Sequence, residues 1–127
     1  MNDDDQRLLF QKFAGALATY DEPTLREVCT DDVVWTIAGN SEISGNHLGV
    51  TDLVATQRRL QSYQIDVQLK EILFGRESFV VILHDTGDRD GKQLDVRVAL
   101  LVSLRDGKIS ALTGHVIDTQ MFSDYLS

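Results

Sequence analysis

The clearest hydrophobic pattern in the chain is a strict alternation over residues 93–104. Every second position on one side is aliphatic: Leu94, Val96, Val98, Leu100, Val102 and Leu104. A period of two predicts a β-strand with one continuous apolar face. Asp-Gly pairs at 90–91 and 106–107 flank the run, and such pairs are typical of hairpin turns. We therefore predict that this run is the central strand of an antiparallel meander.

The first half of the chain has helical periodicity instead. Between residues 6 and 20, apolar side chains recur three and four positions apart: Leu9, Phe10, Phe13, Leu17 and Tyr20. This spacing predicts an amphipathic helix. A short second helix is predicted after Pro23 and a third over residues 51–61.

The remaining segments are predicted to be strands and turns. Alternation predicts strands at 33–37, 64–74, 78–86 and 108–116, and a short helix or tail at 118–126. Helices that precede a sheet of about four long strands indicate an α+β fold.

Length and charge narrow the possible functions. The 127 residues, 43% of them hydrophobic, predict one domain over residues 1–127. The net charge of −8 argues against a nucleic-acid or membrane partner, because both are anionic. The chain begins with no basic signal-peptide region and has no apolar run of membrane-spanning length, so a cytoplasmic location is expected.

The sequence contains no typical metal-binding or nucleotide-binding motif. The three histidines, His47, His84 and His115, are too far apart in sequence to form a typical zinc motif. The Gly-rich segment 38–49 lacks both phosphate-binding patterns, and the only cysteine, Cys29, is expected to be a small buried hydrophobe. We predict neither a metal nor a cofactor.

Asp95 and Arg97 are the charged pair most suggestive of chemistry. They share one face of the predicted central strand, where an acid held by a base could position water. Burial of the aliphatic face turns both residues outward, however, so we expect a salt bridge on the outer side of the sheet.

Five short stretches give the chain a resemblance to a known superfamily. They are YDEP at 20–23, CTDDVVW at 29–35, SGNHLG at 44–49, DGKI at 106–109 and DTQMF at 118–122. With this order of elements, the chain resembles the nuclear transport factor 2-like, or ketosteroid-isomerase-like, proteins, and most closely their SnoaL-like polyketide-cyclase branch. The resemblance implies a cone-shaped, curved antiparallel sheet wrapped around the N-terminal helices, with an apolar cavity. It also implies a homodimer through the outer face of the sheet.

The resemblance does not extend to the known catalytic residues. Steroid isomerases of this superfamily need a carboxylate, a tyrosine and a protonated aspartate at positions that Thr36, Phe13 and Leu100 occupy here. None of the three side chains is an acid or a phenol, so ketosteroid isomerisation is not expected. Epoxide hydrolases of the superfamily have an Arg and an Asp two residues apart, in the reverse order of Asp95 and Arg97.

The SnoaL-like branch implies a different acid. Its cyclases are believed to use an aspartate late in the chain, and Asp118 is the best match, with His115 or His84 as a partner. An aspartate in an apolar cavity would have a raised pKa, which suits proton abstraction next to a carbonyl. The alternative is that Asp118 caps the terminal helix, because Asp followed by TQMF is also an N-cap signal.

The predicted function is therefore a small-molecule pocket. It would act as a cofactor-free isomerase, cyclase or lyase on a hydrophobic carbonyl compound, with Asp118, His115 and His84 as catalytic residues. Nine residues are predicted to contact the substrate: Phe13, Leu17, Trp35, Thr36, Leu53, Gln57, Tyr63, Leu100 and Phe122. The alternative is a non-catalytic ligand-binding or dimerisation module of the same fold.

Overall fold

The computed structural model describes residues 1–127 as an α+β fold of four helices and six strands. The helices are α1 (Asp3–Ala18), α2 (Glu22–Val28), α3 (Gly49–Gln61) and α4 (Thr119–Tyr125). The strands are β1 (Cys29–Ile37), β2 (Gly45–Leu48), β3 (Ile65–Phe74), β4 (Ser78–Arg89), β5 (Lys92–Arg105) and β6 (Lys108–Val116). This arrangement confirms the predicted fold class.

Helix α1 begins earlier than its hydrophobic pattern indicates. The Asn2 side chain accepts a hydrogen bond from the Asp5 backbone N–H, and Asp5 in turn accepts one from the backbone of Asn2, which makes a capping box. Three acidic residues in the first turn also stabilise the helix, because their negative charges lie at the positive end of its dipole. The helix then buries one face against the sheet, with Phe10 and Phe13 at its centre.

The six strands form one curved, unclosed sheet in the order β2-β1-β6-β5-β4-β3. Four of the five pairings are antiparallel, and the pairing of β1 with β6 is parallel, which the sequence pattern did not indicate. The short strand β2 lies in the segment predicted to be a loop, because four residues carry too little alternation to reveal a strand.

Strand β5 has the predicted orientation. Its alternate residues Leu94, Val96, Val98, Leu100 and Val102 are buried, and Asp95 and Arg97 between them are exposed. The strand pairs with β4 on one side and β6 on the other. One face of the meander therefore covers the helices, as its sequence predicts.

Helix α4 closes one end of the fold. Its Tyr125 side chain is 1% exposed, and the hydroxyl donates to backbone oxygens at 2.8 Å (Tyr63) and 3.1 Å (Gln64). The Arg89 guanidinium donates to the Tyr125 carbonyl oxygen at 2.6 Å. These bonds hold Phe122, one turn earlier, against the inner face of the sheet.

None of the four helices combines the length and apolar character needed to cross a membrane.

Candidate functional site

A cavity of about 600 Å³ lies between helix α1 and the inner face of the sheet. Of its 24 lining residues, 18 are hydrophobic. The volume falls within the usual range for small-molecule sites, roughly 300–1,000 Å³.

Most of the predicted substrate contacts line this cavity. Seven of the nine do so: Phe13, Leu17, Trp35, Thr36, Gln57, Leu100 and Phe122. Among them are Thr36, Phe13 and Leu100, which the resemblance matches to the catalytic positions of the steroid isomerases.

Two of the predicted contacts lie elsewhere. Leu53 is fully buried in the core and lies one turn before the lining residue Gln57 on α3, outside the cavity lining. Tyr63 packs beside α4, where the Arg89 guanidinium lies 4.8 Å from its ring centre. The placement of these two residues in the site is corrected accordingly.

One side of the cavity is open to solvent. Its exposed lining residues are Gln11 and Ala18 on α1, Gln61 at the end of α3, and Val67 and Leu69 on the edge strand β3. Val67 and Leu69 are 53% and 48% exposed, which is unusual for aliphatic residues on the inner face of a sheet. An apolar molecule that enters here would cover them.

Asp85 is the one charged residue in the lining, and the sequence analysis did not select it. It lies on β4, opposite Val67 of β3 and Val96 of β5. Its side chain is only 8% exposed, and its Oδ1 atom has no hydrogen-bond partner in the protein. A carboxylate without a partner is rare in such an apolar environment, because burial of an unpaired charge is costly.

This environment changes the acidity of Asp85. Burial raises the pKa of its carboxyl from 3.8 to about 6, and the nearby charge of His84 offsets a smaller part of the rise. A carboxyl with this pKa can both accept and release a proton near neutral pH.

A sequence signal for Asp85 existed. Residues Phe79, Val81, Leu83 and Asp85 alternate along one face of β4, so the pattern that directs three apolar side chains inward also directs the acid inward. A carboxylate in an apolar alternation is a candidate functional group.

Asp118 does not reach the cavity. It is exposed and its Oδ1 accepts a hydrogen bond of 3.0 Å from the Met121 backbone N–H, at the N-cap of α4. The prediction that it acts from the cavity wall is therefore corrected, and the alternative capping role is the one observed. The strand ends before Asp118, so the alternation that would direct it inward no longer applies.

The two histidines predicted to assist Asp118 are also outside the cavity. His84 alternates with Leu83 and Asp85 and so faces the outer side, where its Nε2 lies 2.6 Å from Oδ1 of Asp95. His115 is exposed beside Ala99 on the same outer surface. The structure brings neither of them to Asp118.

On the outer face of the sheet, Asp95 has a different partner from the one predicted. Asp95 faces outward as expected, but its partner is His84 on the adjacent strand rather than Arg97. The direct cross-strand partner of His84 is Arg97, and the imidazole reaches diagonally to Asp95, which faces Thr86.

Neither metal binding nor thiol chemistry is indicated by the arrangement. No three His, Cys, Asp or Glu side chains come together as metal ligands. Cys29 is 1% exposed, and burial raises the pKa of its thiol to about 12, so it stays protonated.

One family model matches the sequence. The sequence profile of the SnoaL-like domain matches residues 10–112. None of the curated proteins compared with the chain matches it significantly.

Solved structures share the fold at low sequence identity. An NTF2-like protein from Burkholderia xenovorans LB400 is 19% identical, with a TM-score of 0.85 over 100% of this chain and 99% of the other. Bal32a, from a soil-derived mobile gene cassette, is 21% identical, with a TM-score of 0.85 over 98% of each chain. A protein from Jannaschia sp. CCS1, proposed to be a SnoaL-like polyketide cyclase, is 17% identical, with a TM-score of 0.76 over 98% of this chain and 92% of that one.

Proposed function

Because this chain belongs to the SnoaL-like domain family, we propose that its cavity binds a small, mainly apolar carbonyl compound and that Asp85 exchanges a proton with it. The observation that carries the proposal is the buried Asp85 carboxylate, the only titratable side chain in the lining. The proposed reaction is an isomerisation or cyclisation by acid–base catalysis.

The apolar lining would bind the carbon skeleton of the ligand. We propose that Phe13, Leu17, Trp35, Leu100 and Phe122 contact it. Their side chains cover the helix, the sheet and the α4 end of the cavity, so an enclosed apolar molecule would lose contact with water on most sides.

The polar lining would orient the carbonyl group. The lining residues that carry donors are the glutamines Gln11, Gln57 and Gln61, with their side-chain amides, and Trp35, with its indole N–H. The Thr36 hydroxyl already donates to Oδ1 of Asn46 at 2.7 Å, so Thr36 would act as an acceptor. Donors near the carbonyl oxygen would stabilise the negative charge that develops there.

In the proposed reaction, the ionised Asp85 removes a proton from the carbon next to the carbonyl. The electrons of the broken C–H bond form the enolate, and the carboxyl returns its proton to the same or a conjugated carbon. No electron is gained or lost, so the step needs no redox cofactor. A positioned acid–base group of this kind contributes on the order of 10²–10⁴ in rate.

Deuterium exchange tests this reaction without knowledge of the natural substrate. We propose 2-tetralone in D₂O, with the exchange at its α-carbon followed by proton NMR. The protein should accelerate exchange at least about 100-fold over buffer, with a rate that rises with pH through about 6 as Asp85 ionises. Asp85→Asn should abolish the acceleration. Equal acceleration by the Asn variant would refute the role of Asp85.

A non-catalytic ligand-binding module is the second candidate. It is favoured by the single titratable group in the lining, because acid–base enzymes commonly position two. In that case 2-tetralone would change the fluorescence of Trp35, the only tryptophan and a cavity residue, but would not exchange faster than in buffer.

We also propose a homodimer through the outer face of the sheet. Four apolar residues are half-buried there in facing pairs: Val80 with Leu101, and Ile82 with Ala99. A second copy would cover this patch. Leu101→Glu should convert a dimer into a monomer in sedimentation velocity, and a wild-type monomer at micromolar concentration would refute the proposal. The cytoplasmic location stays a prediction.

A further inference from the structure

The charge balance of the cavity is one-sided. Its lining contains the Asp85 carboxylate and no lysine, arginine or histidine. The protein as a whole carries a net charge of −8. A ligand cation would therefore meet an attractive field on approach and a single unpaired acceptor inside.

The groups around Asp85 leave this acceptor free. The charged side chains His84, Asp95, Arg97 and Asp66 lie on the outer side of the sheet. On the inner side, Arg89 lies four residues beyond Asp85 on β4, but its guanidinium binds the Tyr125 carbonyl oxygen and packs on the Tyr63 ring, outside the cavity lining. On the inner side its strand neighbours are Val67 and Val96, and the polar residues that α1 and α3 present to the cavity are neutral glutamines. No protein cation can neutralise Asp85 from within the cavity.

We infer that the cavity also binds lipophilic amines as ammonium ions, with an N–H group donating to the Asp85 carboxylate and the apolar part against the aromatic wall. An ammonium group supplies both the missing hydrogen bond and the missing charge. Bound there, it occupies the base, so amines compete with carbonyl compounds. The inference rests on the proposed use of the cavity for small molecules, but not on proton transfer.

The size of the expected preference for an amine follows from the type of hydrogen bond. A hydrogen bond to a charged partner in a buried site changes an equilibrium constant about tenfold or more. An aliphatic amine stays protonated well above neutral pH, so the pH dependence of binding comes from Asp85. With the pKa of Asp85 at about 6, roughly one molecule in ten is ionised at pH 5.

Three probes with the same bicyclic skeleton separate charge from shape: 2-aminotetralin, 2-tetralol and 2-tetralone. Their dissociation constants are measured by the fluorescence of Trp35. At pH 8 the amine should bind about tenfold or more tightly than the alcohol. At pH 5 its affinity should fall by about tenfold, and that of the alcohol should change little.

Two aspartate variants complete the test. Asp85→Asn should remove the preference for the amine over 2-tetralol, and continued binding of 2-tetralone, which has no O–H or N–H to donate to Asp85, shows that the cavity is intact. Asp66→Asn makes the same charge change on the exposed side of β3 and should keep the preference. Equal affinity for amine and alcohol at pH 8, or a preference that survives in Asp85→Asn, would overturn the inference.

The outcomes separate this inference from the proposed function. Exchange of 2-tetralone without a preference for the amine overturns only the inference. A preference for the amine without exchange overturns only the proposed proton transfer. If none of the three probes binds, both are overturned, because both require an accessible cavity.

Discussion

Replacement of Asp85 by asparagine should stabilise the folded protein, by an amount that increases with pH. The substitution keeps the shape and the polarity of the side chain but removes its ability to ionise. Asp85 is 8% exposed and its Oδ1 has no partner, so the ionised form is less favourable in the folded protein than in the unfolded chain.

The size of the effect follows from the shift in acidity. Burial raises the pKa of Asp85 from 3.8 to about 6. One pKa unit corresponds to roughly 1.4 kcal/mol, so ionisation of the buried group lowers the free energy of unfolding by about 3 kcal/mol. Because the folded state holds the proton more tightly, this loss is small below about pH 4. It grows as the pH rises through about 6 and is complete above about pH 7.

Urea unfolding followed by circular dichroism at pH 4 and pH 8 measures this difference. The free energy of unfolding of Asp85→Asn should exceed that of the wild type by about 3 kcal/mol at pH 8 and by a small amount at pH 4. Asp66→Asn is the matched control, because Asp66 is exposed on the neighbouring strand; its effect should stay within about 0.5 kcal/mol at both pH values. A difference between Asp85→Asn and the wild type that is the same at both pH values would refute the reasoning.

Three further predictions concern other parts of the fold. Asp118→Ala should lower the free energy of unfolding by about 1 kcal/mol, because the Met121 N–H loses its hydrogen-bond acceptor. It should leave the exchange of 2-tetralone unchanged. A loss of exchange would indicate that Asp118 takes part in the reaction. Gly87→Ala should lower the free energy of unfolding by about 1–3 kcal/mol, because the new Cβ would lie 2.4 Å from the Tyr125 hydroxyl oxygen. An unchanged melting temperature would contradict this. Cys29, with its thiol pKa at about 12, should react with Ellman's reagent at pH 8 much more slowly in the folded protein than in urea, and equal rates would contradict its burial.

The fold was predictable because its signals are local. The alternation of β5 fixes which residues are buried, whatever the neighbouring strands are, since a strand directs successive side chains to opposite faces. The spacing of Phe10 and Phe13 fixes the buried face of α1 in the same way. The parallel pairing of β1 with β6 was not predictable, because it joins residues that are 77 to 80 positions apart and carries no local mark.

The site was predictable only in part. Most of the apolar lining followed from the resemblance and the periodicity, and Leu53 and Tyr63 were misplaced because a pattern shows that a residue is buried but not against what. Asp85 carried a local signal that was overlooked, since it occupies the buried face of β4.

By itself, the sequence determined the order of the elements, the aliphatic face of the central strand and the outward direction of Asp95 and Arg97. These features depend on the fixed periods of helix and strand, which act over a few residues. Only the tertiary structure showed which acid lies in the cavity. Asp118 lies past the end of a strand and caps a helix, whereas Asp85 is enclosed by β3, β5 and the cavity. The pKa of a carboxyl depends on how completely the surrounding chain removes water from it, and residues distant in sequence provide that enclosure.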